Sequence, residues 1–439
     1  MKTIFQMRAR PRWHAAAVCL ALLVSQRGVA IAQSPDSVVL SVMLDHADWR
    51  YHVGDSARFS VSVLRGGRPV PGARASVEIG MERMAPLRRD TMDALQPRQI
   101  AATLGFPGFL RATVRTIVDG RTYTALATAA FDPERITATM TAPSDFEAFW
   151  RRAIEDARRV PLAPIMTRLP DRSTPEVDVF HVSFQNQRVG SRIYGMLSVP
   201  TKAGKYPAML VVPGAGVRPY FPSVSTAKLG VIHLTIGIHG IPVDRDSLLY
   251  NELRATALQS YWTYGIESRD SYYYKRVYVG AVRAGDFIFS LPQFDGSHYV
   301  VQGESQGGGL SIMLGAIDPR VKAIAASYPA MSDQFGYFAG HPGGWPHLFQ
   351  DTTGIRALSE KKETIRYYDV INFARLLRVP GIYAFGFNDN TVPPTSSYAT
   401  YNTITAPKEV IIVPETGHFR VPSQRNPMDA WLLKQLGLP

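Results

Sequence analysis

The stretch Ser297 to Gly309 reads S-H-Y-V-V-Q-G-E-S-Q-G-G-G and sets one serine, Ser305, between glycines in Gly303-Glu304-Ser305-Gln306-Gly307. An apolar run, Tyr299 to Val301, precedes it, and a helix-forming segment, Leu310 to Ile317, follows. Strand, tight turn and helix in that order make a nucleophile elbow, which holds a serine hydroxyl up at a sheet edge. Small residues are needed on both sides of the serine because the strand and helix backbones approach too closely for a Cβ. A serine hydroxyl is a poor nucleophile at neutral pH. Attack on an acyl carbon therefore needs a base to take its proton and a carboxylate to orient that base.

With this kind of elbow the acid and then the histidine follow the serine along the chain. The histidines downstream of Ser305 are His341, His347 and His418. His418 lies in Glu415-Thr416-Gly417-His418, a loop beyond a strand candidate. Asp389 lies in Phe387-Asn388-Asp389-Asn390, just past the strand-like run Ile382 to Phe385. Only His418 is downstream of Asp389, so choosing that acid fixes the base. Asp318, Asp333, Asp351 and Asp369 compete for the role but follow less clear strands. The tetrahedral intermediate needs two main-chain N–H donors. One is expected at Gln306, directly after the nucleophile. The other is expected at Ala215, in the loop Pro213-Gly214-Ala215-Gly216 after the strand candidate Ala208 to Val212. His341 and His347, six apart with no nearby carboxylate, are weak evidence for a metal, and no cofactor is expected.

These residues need a scaffold that gathers them at one edge. From Val177 to Val413 the chain alternates strand candidates (177–184, 191–199, 208–212, 230–236, 299–301, 323–327, 381–385 and 409–413) with helix candidates (274–291, 310–317, 359–377, 396–401 and 429–436). Several of the strands are near-continuous apolar runs, as in a parallel sheet buried on both faces. The alternation predicts an α/β fold and, with the elbow, an α/β-hydrolase with a mostly parallel sheet over residues 144–439. Ser144, with Glu147 three residues on, predicts a capped helix at its start. Residues 36–131 alternate apolar and polar in short runs, such as Ala57 to Val63 and Ala75 to Ile79, broken by turns such as Asp119-Gly120. That pattern predicts a small antiparallel, immunoglobulin-like β-sandwich. Residues 132–143, with two prolines and little periodicity, read as a linker.

Residues 1–32 read as a secretory signal. Lys2, Arg8, Arg10 and Arg12 precede an apolar core, Ala15 to Val24, too short to span a bilayer, and Ala30-Ile31-Ala32 forms a small-residue cleavage site. A secreted or periplasmic protein without a membrane anchor is expected. The single cysteine, Cys19, lies in this leader, so the mature chain has no disulfide and no thiolate chemistry. The formal charge of +12 is partly leader charge, and the remaining cations are scattered, which argues against a nucleic-acid partner.

Taken together, Asp145 to Trp150, the run Tyr272-Tyr273-Tyr274-Lys275-Arg276-Val277-Tyr278, the elbow, and Asp389-Asn390-Thr391-Val392-Pro393-Pro394 followed by Gly417-His418 resemble the acetyl xylan esterase and cephalosporin C deacetylase family over roughly residues 137–439. The resemblance implies metal-free deacetylation of sugar esters by the same Ser-His-Asp set, and often a homo-oligomer. Two loops depart from the family pattern. Ile238-His239-Gly240-Ile241 stands where an Arg-Gly-Gln motif is usual, and Pro213-Gly214-Ala215 where His-Gly-Tyr is usual. An exported serine esterase acting on acetyl or other short acyl esters of carbohydrates is the expectation. A serine peptidase of the prolyl oligopeptidase type and a catalytically inactive carbohydrate-binding protein are the rivals. The first of these usually carries a propeller that about 100 residues cannot build.

Overall fold

The computed structural model describes residues 37–93, 98–353 and 355–438. The expected signal and Cys19 lie outside the described residues. Nine strands come first: β1 (Val38–Leu44), β2 (Arg50–Tyr51), β3 (Ala57–Arg65), β4 (Arg68–Pro69), β5 (Arg74–Gly80), β6 (Arg88–Asp93), β7 (Arg98–Ala102), β8 (Gly108–Val118) and β9 (Arg121–Phe131). They form two sheets. In one, β3 pairs with β1, β4 and β7; the other runs β2-β9-β8-β5-β6. All of the pairings are antiparallel except β2 with β9. The β8–β9 hairpin closes on Asp119-Gly120, both at positive φ (49° and 73°), the left-handed pair that suits the right-handed twist of a two-residue turn. Trp49 and Tyr51 are core residues here, 4% and 5% exposed.

The second half is built on nine further strands: β10 (Ile165–Arg168), β11 (Val177–Gln185), β12 (Arg192–Pro200), β13 (Tyr206–Val212), β14 (Ile232–Gly237), β15 (Phe294–Glu304), β16 (Ala323–Ser327), β17 (Gly381–Phe385) and β18 (Lys408–Ile412). Their order in the sheet is β10-β11-β12-β14-β13-β15-β16-β17-β18. From β14 onward every pairing is parallel. The helices are α1 (Phe146–Arg158), α2 (Val224–Lys228), α3 (Ser247–Ala255), α4 (Tyr273–Ser290), α5 (Gln306–Ile317), α6 (Leu358–Arg366), α7 (Val370–Leu376), α8 (Pro394–Thr403) and α9 (Pro422–Gln435). Residues Gln306 to Gly315 of α5 are all buried, as befits a central helix that is apolar all round. On the opposite sheet face Met428, Leu432 and Leu436 pack on Met209, Val300, Ala323 and Ile382. The sheet is thus covered on both sides, and its parallel strands read as apolar runs for that reason.

Three expectations about elements need correction, and one strand was not foreseen. The Ser144 cap does not form: Asp145 stands at the start of α1 without a side-chain cap, because its carboxylate is taken by Tyr367 and Arg269. The single helix expected over 359–377 is two, α6 and α7. Asp369 accepts from Ile371 N at 2.9 Å and so starts a new helix. The last helix begins at Pro422, well before Asp429, since proline at a first helical position sacrifices no hydrogen bond. Strand β10, exposed at all four positions, carries no alternation by which to foresee it.

The N-terminal sheets and the α/β half share one apolar cluster. Phe109 of β8 is fully buried, edge-on to Phe387 (centroids 5.2 Å apart) and 5.5 Å from Tyr398 of α8. Burying one such ring is worth roughly 1.5–3 kcal/mol.

Candidate active site

Ser305 sits between β15 and α5 with φ 58° and ψ −121°, a conformation that L-residues avoid and that turns the side chain away from both elements. The glycines around it are required by contact distances. A Cβ on Gly303 would lie 2.3 Å from the Gly307 carbonyl oxygen, and one on Gly307 would lie 2.3 Å from that of Val212. Asp389 and His418 come from the loops after β17 and β18. Every candidate catalytic side chain therefore stands at the carboxyl ends of parallel strands, where open α/β sheets bind ligands.

His418 Nε2 is 3.0 Å from Ser305 Oγ, and His418 Nδ1 is 2.7 Å from Asp389 Oδ2. Asp389 is 1% exposed, and its other oxygen accepts from Thr391 N at 2.7 Å and Val392 N at 2.9 Å. An acceptor so placed leaves the imidazole one sensible tautomer: Nδ1–H towards the carboxylate, Nε2 free to receive the serine proton. The competing acids are occupied elsewhere. Asp318 pairs with Arg320, Asp333 accepts from Thr139 and Met140, Asp369 caps α7, and Asp351 accepts from Thr353 N in an exposed turn.

The N–H of Ala215 and that of Gln306 make no hydrogen bond among the described residues. The loop that carries Ala215 is held by its other groups. Gln306 Nε2 donates to Pro213 O (3.2 Å), Arg218 donates to Gly214 O (3.3 Å) and Ala215 O (2.8 Å), and His239 Nε2 donates to Gly216 O (3.0 Å). Burial holds the His239 imidazole neutral, with its pKa lowered to about 4. Because Nε2 donates, Nδ1 must accept, and Tyr273 supplies the proton at 2.7 Å. The hydroxyls of Tyr261 and Tyr274 both donate to Gln306 Oε1 at 2.7 Å, which fixes the amide's orientation, and burial pushes both phenols up. The histidine loop is tied back to the elbow as well. Arg420 pairs with Glu304, Tyr328 donates to the same carboxylate at 2.5 Å, and the Tyr328 ring lies 4.5 Å from that of His418.

A cleft of about 980 Å³ opens on this constellation, lined among others by Ala215, Tyr220, Thr235, Gln302, Ser305 and His418. No helix among the described residues is long and apolar enough to cross a membrane, and no cluster of three or more His, Cys, Asp or Glu that could hold a metal occurs among them. His341 and His347 face different neighbours: His347 spans Tyr337 and Thr391 O, while His341 lies 3.9 Å from Asp333.

The family model for acetyl xylan esterase matches residues 134–435. An acetyl esterase, Axe7A, of Xylanibacter ruminicola is 38% identical over 400 residues, 89% of each chain. The chain belongs to the acetyl xylan esterase family. It is accordingly a carboxylic ester hydrolase. Two solved acetyl xylan esterases share the fold. The one from Paenibacillus sp. R4 is 24% identical, covering 69% of this chain and 98% of that one, with a TM-score of 0.61. The other, from Thermoanaerobacterium sp. JW/SL YS485, is 20% identical, covering 69% and 97%, again with a TM-score of 0.61. Within this acetyl xylan esterase family member, His239 of the loop Ile238-His239-Gly240-Ile241 braces the Ala215 loop through Gly216 O. Tyr272 to Tyr274 entered the sequence analysis only through the family resemblance, and their hydroxyls were not singled out there. Tyr273 and Tyr274 supply hydroxyls to His239 and Gln306, a role that a buried phenol's need for an acceptor could have suggested.

Proposed function

We propose that the protein is an exported serine esterase that removes acetyl, or another short acyl group, from carbohydrate hydroxyls through an acyl-enzyme. The observation that carries this reading is the continuous path Asp389 Oδ2, His418, Ser305 Oγ, at 2.7 and 3.0 Å, beside two unpartnered N–H groups. Ser305 Oγ attacks the ester carbonyl carbon while its proton passes to His418 Nε2. The carbonyl oxygen, now anionic, accepts from Ala215 N–H and Gln306 N–H. Collapse breaks the bond to the sugar oxygen, which leaves with the proton from His418. The acetyl group remains on Oγ until a water, deprotonated by the same imidazole, attacks it and releases acetate. Asp389 stays ionised and orients the ring throughout.

A carbohydrate leaving group fits the cleft, whose walls offer hydroxyl, amide and carboxylate groups beside the exposed ring of Phe221. The name of the Xylanibacter ruminicola relative supports acetyl as the acyl group. We further propose that residues 36–131 form an immunoglobulin-like sandwich joined to the catalytic domain by residues 132–143, and that residues 1–32 direct export. The test is a panel of acetylated xylan, acetylated monosaccharides and aryl esters of rising acyl length, with Ser305→Ala as the blank. Acetyl esters turn over and the Ser305→Ala protein does not. Cleavage of peptide aryl-amides with acyl esters left untouched would replace this reading with a peptidase.

A further inference from the structure

Arg111 is an odd residue for its place. It lies in the middle of β8, within a run of buried residues, and is itself only 5% exposed. A guanidinium taken out of water must be paired and hydrogen-bonded on most of its donors. Here those donors leave the N-terminal sheets altogether. Nη2 donates to Phe387 O at 2.8 Å and to Asp389 O at 3.1 Å, Nη1 donates to the side-chain oxygen of Asn390, and Nε donates to Thr128 Oγ1 at 2.8 Å. Thr128 of β9 in turn donates to Asn388 Oδ1 at 3.0 Å, and Asn388 Nδ2 donates to Leu126 O at 3.2 Å. Nearby, Arg83 donates to Asn390 O at 3.0 Å. Glu82, 1% exposed, accepts from the backbone and hydroxyl of Thr395 at the start of α8. The loop from Phe387 to Thr391 is irregular, so its carbonyls need partners from outside the sheet. Arg111 of β8 provides them at Phe387 and Asp389, and Arg83, in the connection between β5 and β6, at Asn390.

We propose that Arg111, with Thr128, is a positioning device for the catalytic acid: the N-terminal sheets fix the peptide planes on either side of Asp389 and thereby aim its carboxylate at His418. The proposal rests on the reading of Asp389 as the acid. The family model begins at residue 134, so neither Arg111 nor Thr128 lies within the region it matches. The fork geometry matters because two carbonyls and an amide are gripped by one planar group, which lysine cannot reproduce.

The experiment uses the whole chain and an aryl acetate, and measures kcat, KM, the rate of Ser305 labelling by a fluorophosphonate and the unfolding midpoint. Asp389→Asn and Ser305→Ala test the underlying reading, and each should abolish turnover. Arg111→Met should lower kcat and the labelling rate together by roughly ten- to a hundredfold, the range expected when reacting groups are misplaced by about an ångström, with KM changed by no more than about twofold. Thr128→Val should act in the same direction but less strongly, and Arg111→Lys should recover part of the loss. Val77→Ala, in the core of the same sheets and away from the loop, lowers the unfolding midpoint but leaves kcat as it was at temperatures where the chain is folded. If Arg111→Met does not accumulate as folded protein, Thr128→Val and Arg111→Lys carry the test. Wild-type kcat in the folded Arg111 and Thr128 variants, or an equal fall in Val77→Ala, overturns the proposal while leaving the triad reading intact. Turnover by Asp389→Asn or Ser305→Ala overturns both.

Discussion

Gln306 does two things at once. Its main-chain N–H is one of the two donors free to meet an oxyanion, and its side chain holds the Pro213 carbonyl of the loop that carries the other. The amide is itself pinned by Tyr261 and Tyr274. Gln306→Leu keeps the N–H but leaves two buried phenols without their acceptor and lets Ala215 drift. We expect kcat on an aryl acetate to fall about ten- to a hundredfold, with less change in KM, because the lost contact matters most when charge develops on the carbonyl oxygen. Equal kcat in the variant would show that the loop holds its shape without the amide. The three side chains that the structure brings together, Ser305, His418 and Asp389, were readable from residue type, order and spacing. The side chains that hold them were not, because Gln306 with Tyr261, or Arg420 with Glu304, meet across long stretches of chain and leave no local pattern.

At the scale of the element, the elbow is legible because steric exclusion writes itself into glycines. Gly307→Ala would force a methyl to within 2.3 Å of the Val212 carbonyl oxygen. The expected result is a chain that fails to fold or unfolds many degrees lower, read by calorimetry, and an unchanged midpoint would contradict the strand–helix distance. The segment between β16 and α6, where His347 donates to Thr391 O of the loop after β17, offers a pH test. Burial, aided by the positive charge of Arg83, lowers the pKa of His347 to about 4, against an ordinary value of 6.5. Between those values the unfolded chain binds a proton that the folded chain does not. The stability contributed by neutral His347 is thus present in full above about pH 6.5 and is lost as pH falls towards 4. His347→Gln removes that titration. Its unfolding midpoint should drop less than the wild type's between pH 7.5 and pH 4.5, and parallel drops would rule the effect out. Helix ends were harder to read than the elbow. Tyr367 and Arg269 capture Asp145 through contacts that a local window does not contain, whereas Asp369 splits one expected helix into two by a local cap, accepting from the N–H two residues on.

For the molecule as a whole, the two halves do not behave as bead and string. Phe109, Arg111 and Thr128 meet Phe387, Asn388, Asn390 and Tyr398, and a single apolar cluster runs through both. Removing residues 37–131 would bare Phe387 and Tyr398 and strip the carbonyls of Phe387, Asp389 and Asn390 of their donors. We expect the remaining chain to aggregate or to lose activity when expressed alone, as read by size-exclusion chromatography and aryl-acetate turnover. A monodisperse fragment with full activity would refute this. The alternation in the first half made its strands legible, yet nothing in that alternation announced that one strand would reach into the loop of a distant aspartate. β8 is therefore a shared wall. In any chimera between related chains, the first 131 residues could be exchanged only together with the stretch from Phe387 to Asn390, so the inherited unit is the seam between the halves and not either segment alone.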